Sequence, residues 1–221
     1  GIEIITIEDR CYPENLKHIY APPTVLYIKG TLEPEDRYAM AIVGTRKASI
    51  YGRQNAENLS VELVKRGFTV VSGLARGIDT SAHQAALGAS GRTIAVLGSG
   101  INVIYPKENK TLMEEISKSG AVISEFPMNT PPEKYNFPAR NRIISGLSLG
   151  VIVVEAAKKS GALITASFAL EEGREVFSVP GRIDDFRSKG TLGLIKEGAK
   201  LVEGVDDILE EVECPRVLSP K

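Results

Sequence analysis

Short apolar runs alternate with longer stretches of helical spacing along most of this chain. Ala41-Ile42-Val43, Phe68–Val71, Thr93–Leu97, Ala121–Ile123, Val151–Val154 and Val176–Val179 are continuous apolar or β-branched runs too short for helices. They predict strands buried on both faces. Between them, Ser49–Arg66, Asp79–Gly88, Lys107–Ser119, Ala139–Leu147 and Leu163–Glu172 repeat apolar residues at intervals of three and four, which predicts helices. Two further helices are expected near Leu192–Glu197 and Val205–Val212. Such alternation predicts an α/β fold with a doubly wound, mostly parallel sheet. Residues 1–37 read as a lead-in packed on a main domain at 38–213, with a short helix after Pro13 and a short strand at Val25–Ile28. Residues 214–221 read as a tail.

This pattern says where to look for chemistry. Right-handed crossovers bring every strand-to-helix loop to one sheet edge, the edge at which open α/β sheets bind ligands. The loops there are rich in glycine, hydroxyls and cations. Gly44-Thr45-Arg46-Lys47 offers backbone N–H groups, a hydroxyl and a guanidinium, a donor set suited to phosphate. It matches neither the dinucleotide nor the P-loop glycine pattern. Ser72–Asp79 carries two glycines, Arg76 and Asp79; capping of the next helix is the expected job of Asp79. Arg76 either pairs with an acid or points at a ligand, and His83 is expected to be a packed residue. In Gly98–Lys107, Tyr105 is expected to pack against the sheet end. Ala157–Thr165 sets Lys158, Ser160 and Gly161 at a helix start as another anion cradle. Glu155, at the end of a strand, is expected to orient Arg140 or Arg142 rather than to act in catalysis.

The segment Phe137-Pro138-Ala139-Arg140-Asn141-Arg142-Ile143-Ile144-Ser145 stands out. Pro138 suits a first helical turn, so Arg140 and Arg142 fall near a helix N-terminus. That end already carries partial positive charge, and two guanidinium groups there either hold an anion or pair with carboxylates on neighbouring loops. Just upstream, Lys134, Tyr135 and Phe137 interleave a cation with aromatic rings, the combination on which single-stranded nucleic acid stacks and tracks its phosphates. Phe137 alternatively staples its own helix. Altogether Arg46, Arg76, Lys134, Arg140, Arg142 and Lys158 are expected at one sheet edge.

Charge sharpens that expectation. The 221 residues carry a net charge of -1, so no overall basic field attracts a polyanion, and any such partner needs cations gathered locally. Cys11 and Cys214 fit no metal or redox spacing, which points to a reduced, cytoplasmic setting. Two histidines argue against a histidine-rich metal site, and no cofactor is expected. No apolar run reaches 18 residues, so no membrane segment is expected.

In order and spacing, five motifs resemble the DNA-processing protein A (DprA/Smf) family. They are Val43–Arg46, Ser72–Asp79, Phe137–Ser145, Ser160–Ala166 and Val179-Pro180-Gly181. The resemblance implies an extended Rossmann-like fold that binds single-stranded DNA, protects incoming strands in natural transformation and loads RecA recombinase. It also implies a homodimer without catalytic activity. Carried over by motif, it points to Gly44, Thr45 and Arg46 as phosphate contacts, to Arg140, Asn141 and Arg142 as pocket positions, and to Lys134 and Phe137 as residues that touch the strand. The fold class is also similar to that of nucleoside-monophosphate phosphoribohydrolases, which leaves a nucleotide-binding enzyme as the alternative. Residues 156–164 lack the carboxylate of the Pro-Gly-Gly-x-Gly-Thr-x-x-Glu stretch shared by those enzymes.

Overall fold

The computed structural model describes residues 1–215. Nine strands form one sheet. They are β1 (Glu3–Thr6), β2 (Val25–Gly30), β3 (Ala39–Val43), β4 (Thr69–Ser72), β5 (Thr93–Val96), β6 (Ala121–Ser124), β7 (Gly150–Val153), β8 (Glu175–Ser178) and β9 (Lys200–Leu201). Their spatial order is β1-β2-β6-β5-β4-β3-β7-β8-β9. From β6 to β9 every pairing is parallel, while β1 and β2 add an antiparallel ribbon. The strand expected at Val25–Ile28 is β2, and with β1, which is not among the expected strands, it extends the sheet.

Helices α1 (Glu14–Lys17), α2 (Ile50–Lys65), α3 (Ile78–Gly88), α4 (Lys110–Ser119), α5 (Asn136–Leu147), α6 (Gly161–Glu171), α7 (Lys189–Lys196) and α8 (Val205–Leu209) cover its two faces. Strand β3 shows why. All five of its residues are buried: Ala39, Ala41 and Val43 face the core under α5 and α6, and Met40 and Ile42 face the core under α2 and α3. A strand apolar on every position needs a layer on each side. The chain leaves β3 towards β4 on one side, and β7 lies on the other. The carboxyl ends of β3 and β7 therefore form the topological switch point, the crevice where doubly wound sheets hold ligands.

His83, on α3, is buried as expected and contributes a pH dependence. Its Nδ1 lies 2.7 Å from Thr93 Oγ1. That hydroxyl already donates to the Val70 carbonyl at 2.7 Å, so the proton between the two side chains belongs to Nδ1. Burial pushes the imidazole down to about 3. The folded state keeps it neutral, whereas the unfolded chain takes up a proton below about 6.5. This contribution to stability is therefore complete above pH 6.5 and is lost as pH falls towards 3. At pH 4.5 the loss is on the order of 3 kcal/mol. Urea melts at pH 7.5 and 4.5 check this: His83→Gln is expected to show a smaller acid loss than the parent, and equal losses would overturn the assignment.

Candidate nucleic-acid interface

A cleft of ≈ 700 Å³ opens at the switch point. Its walls come from the β3–α2 loop, the β4–α3 loop, the segments that lead into α4 and α5, α5 as far as Ile144, and the start of α6. Three cations line it, Arg46, Lys134 and Arg140, against one carboxylate, Asp79. Arg46 and Lys134 are exposed, and among the described residues neither is paired with an acid. The Arg46 guanidinium sits 5.1 Å from the centre of the half-buried Phe137 ring, and Tyr105 packs on Phe137 at 5.6 Å. A cation thus lies over one face of an aromatic pair at the cleft mouth.

The loop conformations follow from close packing. A Cβ at Gly44 would come within 2.6 Å of Ile78, and one at Gly98 within 2.7 Å of the Phe137 ring. Gly77 has φ 77 and forms the start of α3. Asp79 accordingly sits in the first turn of that helix and is not its N-cap, contrary to the sequence expectation. Its Oδ2 instead accepts from the N–H groups of Gly73 (3.1 Å) and Ala75 (3.3 Å), bracing the β4–α3 loop. Burial raises the Asp79 carboxyl, and the nearby charge of Arg140 opposes that rise.

Arg140 is itself buried, only 4% exposed. Helix α5 begins at Asn136, which places Pro138 in its first turn and Arg140 on the inner face. The guanidinium donates from Nη1 to the Val96 carbonyl at 2.6 Å, and a Cβ at Gly73 would overlap it at 2.0 Å. Burial lowers its pKa to about 10, so it stays charged at neutral pH. Opposite, Ser160 caps α6 and accepts from Ala162 N–H at 3.4 Å, while Asn141 Nδ2 donates to the Gly161 carbonyl at 3.2 Å. The site is a concave, cation-lined wall with helix-start N–H groups, which suits phosphate.

The model of the family "DNA recombination-mediator protein A" matches residues 3–213. The chain belongs to this family. It is 49% identical over 214 residues to DNA processing protein DprA of Bacillus subtilis, covering 96% of this chain and 72% of that protein. Among solved structures, DprA of Streptococcus pneumoniae superposes with a TM-score of 0.92 at 47% identity, covering 96% of this chain and 75% of that one. DNA processing protein A of Helicobacter pylori superposes with a TM-score of 0.84 at 32% identity, covering 94% of each chain. The work on that structure concerns its single-stranded DNA binding mode. The extended Rossmann-like fold implied by the motifs is the fold of this chain.

The expected site residues divide into three groups in this DprA-family chain. Gly44, Thr45, Arg46, Lys134, Phe137, Arg140, Asn141, Ser160 and Gly161 line the one cleft. Arg76 lies beside it, across Phe137 and Tyr105, and is ion-paired with Glu108. Arg142 and Lys158 do not line it. The guanidinium of Arg142 points away along α5 and clamps Glu125 with two bonds of 2.8 and 2.6 Å, and both side chains are largely buried. Lys158 is exposed at the same edge. Glu155 touches neither arginine, contrary to expectation: its carboxylate turns to Ser49 at the start of α2. Sequence reasoning also passed over Ile164 and Thr165 as cleft residues, though both follow the Ser160-Gly161 helix start by one turn.

Proposed function

We propose that this chain binds single-stranded DNA across the cleft mouth. Phosphates lie against Arg46, Lys134, Thr45 and the start of α6, and a base stacks on Phe137. On this reading the protein protects incoming single strands during natural transformation and loads RecA recombinase onto them, acting as a cytoplasmic homodimer without catalysis of its own. The observation that carries the reading is the pairing state of the cations. Arg76, Arg142, Arg182 and Arg187 are each matched to a carboxylate, whereas among the described residues Arg46, over the Phe137 ring, and Lys134, in the same cleft, stand exposed and unmatched. A kinship with a protein studied for single-stranded DNA binding supports it.

The test is fluorescence anisotropy with single- and double-stranded oligonucleotides over a salt series. Preference for single strands and a steep fall with salt are expected; salt-insensitive or duplex-selective binding would overturn the reading. Stacking makes a separate prediction. Phe137→Leu keeps an apolar side chain against Gly98 and Tyr105 but removes the flat face. The expected loss is about 1–3 kcal/mol per stacked base, of similar size for different base compositions and without change in the salt slope. Affinity equal to the parent's would remove Phe137 from the interface.

A further inference from the structure

The β3–α2 loop that carries Thr45 and Arg46 is held in place from outside itself. Glu155 follows β7, 106 residues away from Ser49 in sequence, and is only 3% exposed. Its carboxylate accepts from the Ser49 N–H at 2.9 Å and from the Ser49 hydroxyl at 2.5 Å. Its backbone carbonyl accepts from the Thr45 N–H at 2.7 Å. One residue therefore grips the loop at both ends, with Arg46 between the two grips.

Helix α2 is built to receive this carboxylate. Ser49 is its N-cap, and the Ser49 hydroxyl accepts from the Gly52 N–H at 2.9 Å. A capping box needs a Glu or Gln at Gly52's position to reach back to the N-cap N–H. Glycine supplies no such side chain, and Glu155 fills the role from β7. Nor is there room for a side chain at position 52, since a Cβ there would lie 2.4 Å from Glu155 Oε2. On electrostatic grounds alone the arrangement is unfavourable for a phosphate site, because it places a buried carboxylate behind the loop that presents Arg46.

We propose that Glu155 is a positioning residue for DNA binding: it fixes the β3–α2 loop so that Thr45 and Arg46 meet the strand in one geometry. The proposal rests on the DNA-binding reading and adds a residue that touches no DNA.

The sign of one substitution separates positioning from bystander charge. If Glu155 were only a negative charge near the site, Glu155→Ala would leave binding unchanged or tighten it. Positioning predicts about a tenfold weaker affinity for single strands, with the salt slope kept because the same phosphates are still met. Glu155→Gln retains one acceptor for the Ser49 N–H and an amide that can donate to the hydroxyl, so near-parental affinity is expected. Because the loop acts through Arg46, Glu155→Ala should cost much less in an Arg46→Ala background than alone.

Anisotropy titrations of the parent, Glu155→Ala, Glu155→Gln, Arg46→Ala and the double variant decide the matter. Arg46→Ala weaker with Glu155→Ala at or above parental affinity overturns the positioning role and leaves the DNA site standing. Arg46→Ala without effect overturns the DNA site instead. Additive losses in the double variant overturn action through the loop. If Glu155→Ala does not fold, Ser49→Ala removes the same hydroxyl link and is expected to weaken binding in the same Arg46-dependent way; parental affinity there overturns the proposal.

Discussion

Replacing Arg140 by alanine is expected to cost the fold about 3–5 kcal/mol, because it removes at once a buried side chain, the partner of a buried carbonyl and the charge that opposes buried Asp79. The guanidinium is buried, fills the space in front of Gly73 and donates to the Val96 carbonyl. Without it, Asp79 loses its opposing charge while remaining only 6% exposed, the Val96 carbonyl loses its partner, and a cavity opens beneath the cleft. The retained bonds from Gly73 and Ala75 to Asp79 do not compensate for a lost cation. Urea denaturation at neutral pH measures the loss. Arg140→Met keeps the stem volume and should still lose most of it, whereas Arg140→Met with Asp79→Asn should recover a large share, because no uncompensated charge is left behind. The penalty in Arg140→Met should also ease on acidification: the Asp79 carboxyl is already raised by burial, and protonation removes the buried charge as pH falls through its folded pKa. Parental stability in Arg140→Ala would show instead that the arginine is free to serve a ligand.

That expectation also measures what could be read from sequence. The alternation of apolar runs and helical spacing was enough for the parallel core, because strands such as β3 and β7 are buried along their whole length and leave an unbroken apolar signature. Strands β1 and β9 leave none. In β1 only Ile5 is buried, and β9 has two residues, neither of them buried, so propensity has nothing to act on at these sheet edges. The loops of the switch point were legible from glycines and cations, yet the partner of each cation was not. Arg142 and Arg140 lie two residues apart on one helix and so point in different directions, one to Glu125 and the other under the cleft. Their divergence follows from the spacing alone, but which of the two α5 turns inward depends on packing against Val96 and Gly73 that only the folded chain supplies. Asp79 and Glu155 were misjudged for a related reason. Both act on backbone N–H groups of loops whose paths only the folded chain defines. The glycine at position 52, where a capping box needs an acid, is the single local hint that a carboxylate arrives from elsewhere.

Exchanging both exposed cations, Arg46→Ala together with Lys134→Ala, is expected to remove most single-stranded DNA affinity while leaving the fold intact. Neither side chain is paired with a carboxylate among the described residues, so truncation strands no buried charge, and surface changes of this kind usually stay within about 0.5 kcal/mol of parental stability. For DNA the case is opposite. Each cation that neutralises a phosphate adds about 0.7 to the slope of log affinity against log salt on single strands. Losing two should flatten the slope by about 1.4 and weaken binding most at low salt, uniformly across sequences. Arg46 should account for the larger share, since its guanidinium also lies over the Phe137 ring and can hold phosphate and base together. Arg142→Ala is the matched control. Its partner Glu125 is 16% exposed, so this variant should lose stability yet keep the parental salt slope. An unchanged slope in the Arg46 and Lys134 double variant, with flattening in the Arg142 variant, would move the DNA path off the cleft and onto the far side of α5.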